Sequence, residues 1–298
     1  MTPGIHLVHK PVGPTSFSLV QRCIESARAL QPAKRPRICH GGTLDPFASG
    51  LLLILAGPAT RLFDHLHGVP KVYEASVRWG VETDNGDPLG RVTFQGDASG
   101  LSDRQLEEPL ANFVGWHDQV PPMTSARRIG GERAYVRAHR GEVFEMPATR
   151  VYLHEARWLG HDLPRESRLR VVVRGGYYVR ALARDLGRAL GCGAHVGALA
   201  RTAIGPWTDP GPDRVIDLHG RDVLPWLSTR MLSDQEVGEL RQGRAIDRGE
   251  VLRPDWSLPV EFAEPDAPVR AFHQGRFVFL LGQAAGRLEI LASLGRGV

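Results

Sequence analysis

The run LLLILAG, residues 51–57, constrains this chain most: it has no polar side chain and glycines bound it at Gly50 and Gly57. It is too short for a stable helix and reads as a buried strand. It is also far below the roughly 20 apolar residues that cross a bilayer. The strand needs a core around it, and 298 residues with 42% hydrophobic content supply one, as one large domain or a large one with a small companion. The N-terminus MTPGIHLVHKPVG has no apolar signal core, so the chain is expected in the cytoplasm. Three cysteines, Cys23, Cys39 and Cys192, lack any C-x-x-C spacing and support neither a disulfide framework nor a zinc site.

Pattern places further elements around that strand. IHLVHK alternates as a short strand and runs through the turn PVGPTS, where Ser16 is expected to cap the helix FSLVQRCIESARAL. A helix is expected near ATRLFDHLHG. KVYEASVRWG alternates Tyr73, Ala75 and Val77 against Val72, Glu74, Ser76 and Arg78, a clear strand, and TDNGDPLG reads as a turn. Residues 103–114 form an amphipathic helix, and residues 119–144 mix breakers with arginines as a long flexible finger would. Two strands follow, TRVYLHEARWL and RLRVVVRGG. The helix over 178–191 sets Val179, Leu182, Ala183, Leu186 and Leu190 on one face and ends at Gly191. From about residue 226 a short helix and hairpin-like strands suggest a separate small β module.

The formal net charge is +4, and lysine occurs only at Lys10, Lys34 and Lys71, so arginine carries almost all the positive charge. GC-rich coding is one reading of that imbalance; the other is arginine's use as the better phosphate and base-stacking residue where it is placed to be. The cluster KRPR at 34–37 and the pair Arg127 and Arg128 are candidate phosphate contacts, or solvated patches.

Asp45 is the lone acid in CHGGTLDPFASGLL. An Asp before Pro is commonly a turn or cap residue. The other reading is a nucleophile: glycines at 41, 42 and 50 permit close backbone approach to a ligand, and Pro46 fixes direction. Such a carboxylate must stay ionised, and a neighbouring arginine would keep it so. Arg180, in GGYYVR at a helix start, is the candidate, or else a surface helical residue. Tyr73 and Tyr178 are core aromatics or site residues, and His40 lacks a second ligand at metal spacing.

HGGTLDPFASGLL, KVYEASVRWGVETDNGDPLG, PPMTSARRIGGERAY, GGYYVRALARDLG and GCGAHVGALART occur in the order and approximate spacing of the TruB family, the tRNA pseudouridine-55 synthases, over about residues 5–205. The chain resembles that family, and its tail resembles the family's small RNA-binding PUA-type domain. The resemblance implies an isomerase that converts a T-arm uridine of tRNA to pseudouridine without cofactor or metal, as a monomer with no obligate protein partner. It implies Asp45 as the catalytic nucleophile or base, Tyr73 as the tyrosine that stacks on the target base and helps take its C5 proton, and Arg180 as the aspartate's partner. Tyr178 and Leu199 would line the uracil pocket, His40 would fill the space of the flipped nucleotide, and Arg128 would grip RNA from a finger over about 120–150. The implied fold is α+β, a mixed and mainly antiparallel sheet flanked by helices and loops, with a catalytic domain over 1–224 and a β-rich PUA-like domain over 225–298.

The chain departs from the family pattern at Gly41, where Thr is common, at Arg128, where Lys is, and at Tyr177, where Thr precedes the pocket tyrosine. Gly41 is expected to loosen the loop around His40, and Tyr177 leaves open which of two adjacent tyrosines enters the pocket. A guide-RNA-dependent synthase of the dyskerin type shares these motifs, but no lysine-rich tail accompanies them. An RNA-binding or RNA-folding protein would not require Asp45, Tyr73 and Arg180 together.

Overall fold

The computed structural model describes residues 2–30, 36–142, 144–284, 286–295, 297 and 298. Lys34 and Arg35 of the basic cluster therefore lie outside the described residues. In chain order the elements begin with β1 (Gly4–Lys10), α1 (Ser16–Leu30), β2 (Ile38–His40) and β3 (Ser49–Ala56). The middle of the chain forms β4 (Lys71–Trp79), β5 (Val81–Thr83), β6 (Val92–Gln95), α2 (Asp103–Ala111), β7 (Gly115–Gln119), β8 (Arg128–Ile129), β9 (Glu132–Arg133) and α3 (Ala134–His139). Next come β10 (Thr149–Asp162), β11 (Glu166–Val173), α4 (Val179–Ala189), β12 (Ala194–Ile204) and β13 (Trp207–Thr208). The C-terminal part adds β14 (Val215–Leu218), β15 (Thr229–Met231), α5 (Asp234–Arg241), β16 (Ile246–Asp247), β17 (Val269–His273), β18 (Arg276–Ala284) and β19 (Arg287–Ser293). The architecture is α+β.

The chain divides into two compact units, one of residues 1–46, 50–69 and 204–298, the other of residues 47–49 and 70–203. In the first, β1 lies antiparallel between β14 and β3, and β2 pairs with the C-terminal half of β3. Leu51, Leu53 and Leu55 face one core, with Ile5, Leu7 and Trp226, while Leu52 and Ile54 face Val20 of α1. Burial on both faces is why residues 51–56 of β3 carry no polar side chain. The stretch after β3, expected as a helix, is a 3-10 helix over Gly57–Leu66. The C-terminal strands form a five-stranded sheet in the order β15-β17-β18-β19-β16. Phe272, Phe277 and Leu280 of this sheet share the core of Ile5 and Leu51, and Val269, Val278, Phe279 and Leu281 pack with Val237 and Leu240 of α5.

The second unit is built on the strand order β12-β4-β11-β10-β7. β4, β11, β10 and β7 pair antiparallel in sequence. The strict alternation of β4 buries Lys71, Tyr73, Ala75, Val77 and Trp79 on one face. α4 buries Val179, Leu182, Ala183 and Leu186, and the chain turns at Gly191 with a φ of 72°. The finger holds the short hairpin β8-β9 followed by α3. No helix among the described residues is long and apolar enough to cross a membrane.

Candidate active site

Asp45 sits in an irregular loop of the first unit, half-buried, and the backbone on both sides of it is held. Before it, Leu44 is buried and exchanges two hydrogen bonds with one side chain: Ser16 Oγ accepts from Leu44 N at 2.8 Å and donates to Leu44 O at 2.9 Å. After it, Pro46 O accepts from Gly13 N at 2.8 Å and from Lys10 Nζ at 3.4 Å. Lys10 is fully buried, and its ammonium also donates to Pro11 O at 2.8 Å and Pro14 O at 2.9 Å. Carbonyl oxygens thus replace the water that this charge has lost. The expectation that Ser16 caps α1 is corrected here. Thr15 takes the cap, its Oγ1 accepting from Ser18 N at 3.0 Å, which frees Ser16 to hold the loop.

Gly42 has a φ of 130°, a conformation open to glycine. Gly41 serves a different need. A Cβ there would stand 3.0 Å from Leu53 Cβ, 3.1 Å from Leu66 Cδ1 and 3.2 Å from Leu55 Cδ1, and Gly41 N donates to Leu53 O at 2.8 Å. The glycine therefore packs the loop tightly onto the core, contrary to the expected loosening. His40 is half-buried on β2, opposite Ile54.

In the second unit Arg180 is 4% exposed, so it is no surface residue. Its Nη1 donates to Asn85 O at 2.7 Å and to Thr124 Oγ1 at 2.9 Å, and lies 3.6 Å from Asp87 Oδ2. The turn that presents Asp87 locks itself: Asn85 Oδ1 accepts from Asp87 N, Asp87 Oδ1 accepts from Leu89 N, and Thr83 Oγ1 donates to Asp87 O. Gly86, with a φ of 74°, brings this turn against α4, where a Cβ would meet Arg180 Cβ at 3.2 Å. A buried guanidinium facing a buried carboxylate holds its position because either charge alone would be costly there.

Tyr73 is 9% exposed on β4, and Leu199 is 7% exposed on β12. Arg201, two residues beyond Leu199, is 1% exposed, and its Nη1 donates to Tyr73 Oη at 3.5 Å. Lys71, two residues before Tyr73, is buried too. Burial first, then the charges of Arg201 and Arg174, lower its pKa from 10.5 to about 7.

The adjacent tyrosines separate by environment. Tyr177 is buried, its ring edge-on to His117 with centroids 5.6 Å apart, and burial pushes its phenol far above the usual range. Tyr178 is half-buried, and its backbone N–H donates to Gln119 Oε1 at 2.9 Å. Tyr177 is thus committed to the interior. Arg128 is exposed on the finger and donates to Gly131 O at 2.8 Å within its own hairpin. Nearby, Arg137 and Arg140 pair with Glu142, and Arg140 also pairs with Glu132, so part of the finger's positive charge is met by its own acids.

The structure thus joins Arg180 to Asp87 and Thr124, and Tyr73 to Arg201, within one unit, while Asp45 and His40 belong to the other. Pattern reasoning missed Lys10, Asp87, Thr124 and Arg201. Asp87 lay inside a motif already read as a turn, and Arg201 stood next to last in the motif that contains Leu199. Among the described residues no three His, Cys, Asp or Glu side chains group as a metal site.

Comparison with known proteins gives a consistent picture. Residues 28–179 match the TruB family pseudouridylate synthase N-terminal domain, and residues 180–220 match the tRNA pseudouridylate synthase B C-terminal domain. The chain is 35% identical over 286 residues to the tRNA pseudouridine synthase B of Thermobifida fusca, covering 93% of this chain and 96% of that one. It is 40% identical over 239 residues to the tRNA pseudouridine synthase B of Bordetella avium, covering 78% of this chain and 93% of the relative. In fold it resembles a chain from a crystal structure of a Cbf5-Nop10-Gar1 complex, with a TM-score of 0.69, 19% identity, and coverage of 98% of this chain and 85% of that one.

Proposed function

The chain belongs to the TruB family of pseudouridylate synthases, and from that membership we propose that it isomerises the T-arm uridine of tRNA to pseudouridine, with Asp45 acting at the ribose. The observation that carries the Asp45 assignment is the fixing of the backbone on both sides of it by Ser16, Gly13 and Lys10. A carboxylate that adds to C1′, or that takes a C2′ proton, must be held in one direction while the base moves.

The reaction breaks the C1′–N1 bond, turns the uracil and joins C5 to C1′; C5 then loses its proton and N1 gains one, so the product is an isomer of the substrate. The bond at the anomeric carbon breaks through an oxocarbenium-like state, and a fixed carboxylate stabilises it as in glycosidases. The leaving base is retained, so the chemistry calls for one carboxylate and no external water. Tyr73 stacks on the target base, Tyr178 and Leu199 line the uracil pocket, and His40 fills the gap left when the nucleotide leaves its stack, which costs a few kcal/mol. Arg180, buried and held by Asp87 and Thr124, is the cation of this reading.

Arg128 and its finger grip the RNA backbone, and the sheet over 225–298 is a PUA-like RNA-binding module. The chain works on its own as a cytoplasmic monomer. The test of the substrate uses two unmodified tRNA transcripts, one intact and one with cytidine in place of the T-arm uridine, with no other macromolecule added. Pseudouridine in the first and none in the second supports the assignment. Equal conversion of both would contradict it.

A further inference from the structure

Among the groups around Tyr73, Arg201 has no part in the reading above, yet it is among the largest fully buried side chains of the chain. A guanidinium is expensive to bury and is retained where its geometry is needed. Arg201 Nη1 lies 3.5 Å from Tyr73 Oη. Arginine has donors and no acceptor, so in this contact the phenolic oxygen can only accept. Once it accepts there, its own proton must point elsewhere.

We infer that Arg201 is a positioning residue that acts through Tyr73: by donating to the phenolic oxygen it commits the Tyr73 hydroxyl proton to the uracil. The inference rests on the functional reading above, because it needs a base at Tyr73. Its chemistry follows from the same reaction. When C1′–N1 breaks, the electron pair stays with the uracil, which is then an anion with charge on its carbonyl oxygens. A hydroxyl already polarised by a cation on its oxygen is a stronger donor to such an anion, and it strengthens as the charge develops. No proton needs to transfer for this effect.

Two further features agree with it. Leu199 and Arg201 stand two apart on β12, so one strand presents both to the same face. Lys71, two before Tyr73 on β4, senses the charges of Arg201 and Arg174, which places the guanidinium's field on the face that carries Tyr73.

The test is a double-mutant cycle on intact chain and unmodified tRNA, with Tyr73→Phe removing the hydroxyl and Arg201→Lys keeping a charge while losing the fork. Single-turnover rate, KM, thermal midpoint and tRNA retention on filters are measured for all four proteins. The expected result is a loss of about a hundredfold in rate for Tyr73→Phe and about tenfold for Arg201→Lys, with KM little changed. Added to a chain that already carries Tyr73→Phe, the Arg201→Lys change should cost less than about twofold, because its partner hydroxyl is gone. Arg201→Met repeats the cycle with the charge removed. Losses that multiply across the cycle, or a change confined to KM, would overturn the inference while leaving the tRNA reading intact. A wild-type chain inactive on every tRNA uridine would overturn both.

Discussion

Ser16 and Leu44, separated by most of a helix and a loop in sequence, exchange a pair of hydrogen bonds that fixes the backbone one residue before Asp45. Replacing Ser16 by Ala removes both and leaves a buried N–H and C=O behind. Such groups cost about 1–3 kcal/mol when unsatisfied. Ser16→Ala should therefore lower stability by about 2 kcal/mol and turnover by about tenfold or more, with tRNA affinity nearly unchanged. Thr15→Ala is the matched control. It should cost about 1 kcal/mol through the lost cap and leave turnover alone. Urea unfolding and single-turnover rates on both variants check the pair.

Asp87 faces Arg180 at 3.6 Å with both side chains buried. Removing the acid leaves a buried cation, and breaking such a pair costs about 3–5 kcal/mol. Asp87→Asn, which keeps the shape, should show most of that loss together with a fall in turnover. Asp87→Ala should be worse on both counts. Denaturant midpoints set beside rates give the answer, and an Asp87→Asn protein with wild-type midpoint would show that the pair is not what holds Arg180.

Lys71 gives a pH dependence with a definite sign. Its folded pKa is about 7, below the ordinary lysine value of 10.5. The folded state therefore resists protonating Lys71, and the stability of its neutral form is lost as pH falls from about 10 towards about 7. Below that the penalty is constant. Lys71→Met should accordingly raise the thermal midpoint relative to wild type by more at pH 7 than at pH 10. Thermal melts at the two pH values measure the difference, and an equal or inverted gain would contradict the burial argument.

Gly41 packs within 3.0 to 3.2 Å of three leucines through a Cβ it does not have. Introducing the threonine common in the family should overpack this core and cost about 1–3 kcal/mol. Gly41→Ala should cost less. Their unfolding curves separate steric crowding from any effect on catalysis.

Much of this architecture could be read in the sequence because its patterns are local. Strict alternation marked β4, the unbroken apolar run marked β3, and the apolar face with a terminal glycine marked α4. The motifs around Asp45, Tyr73 and Arg180 were likewise contiguous. What escaped was the set of contacts that join distant segments. Thr15 and Ser16 are both good caps, and only the fold shows that Leu44 claims Ser16. Asp87 looks like a turn residue until α4 brings Arg180 against it, and Arg201 looks like any strand arginine until β12 lies beside β4.

The central claim is that Asp45 acts chemically at a tRNA uridine. Its most direct test is tritium release from tRNA labelled at uracil C5, with wild type and Asp45→Asn compared at equal tRNA occupancy. The account predicts release by wild type and none by Asp45→Asn, with unchanged affinity. Release by Asp45→Asn at the wild-type rate would contradict it.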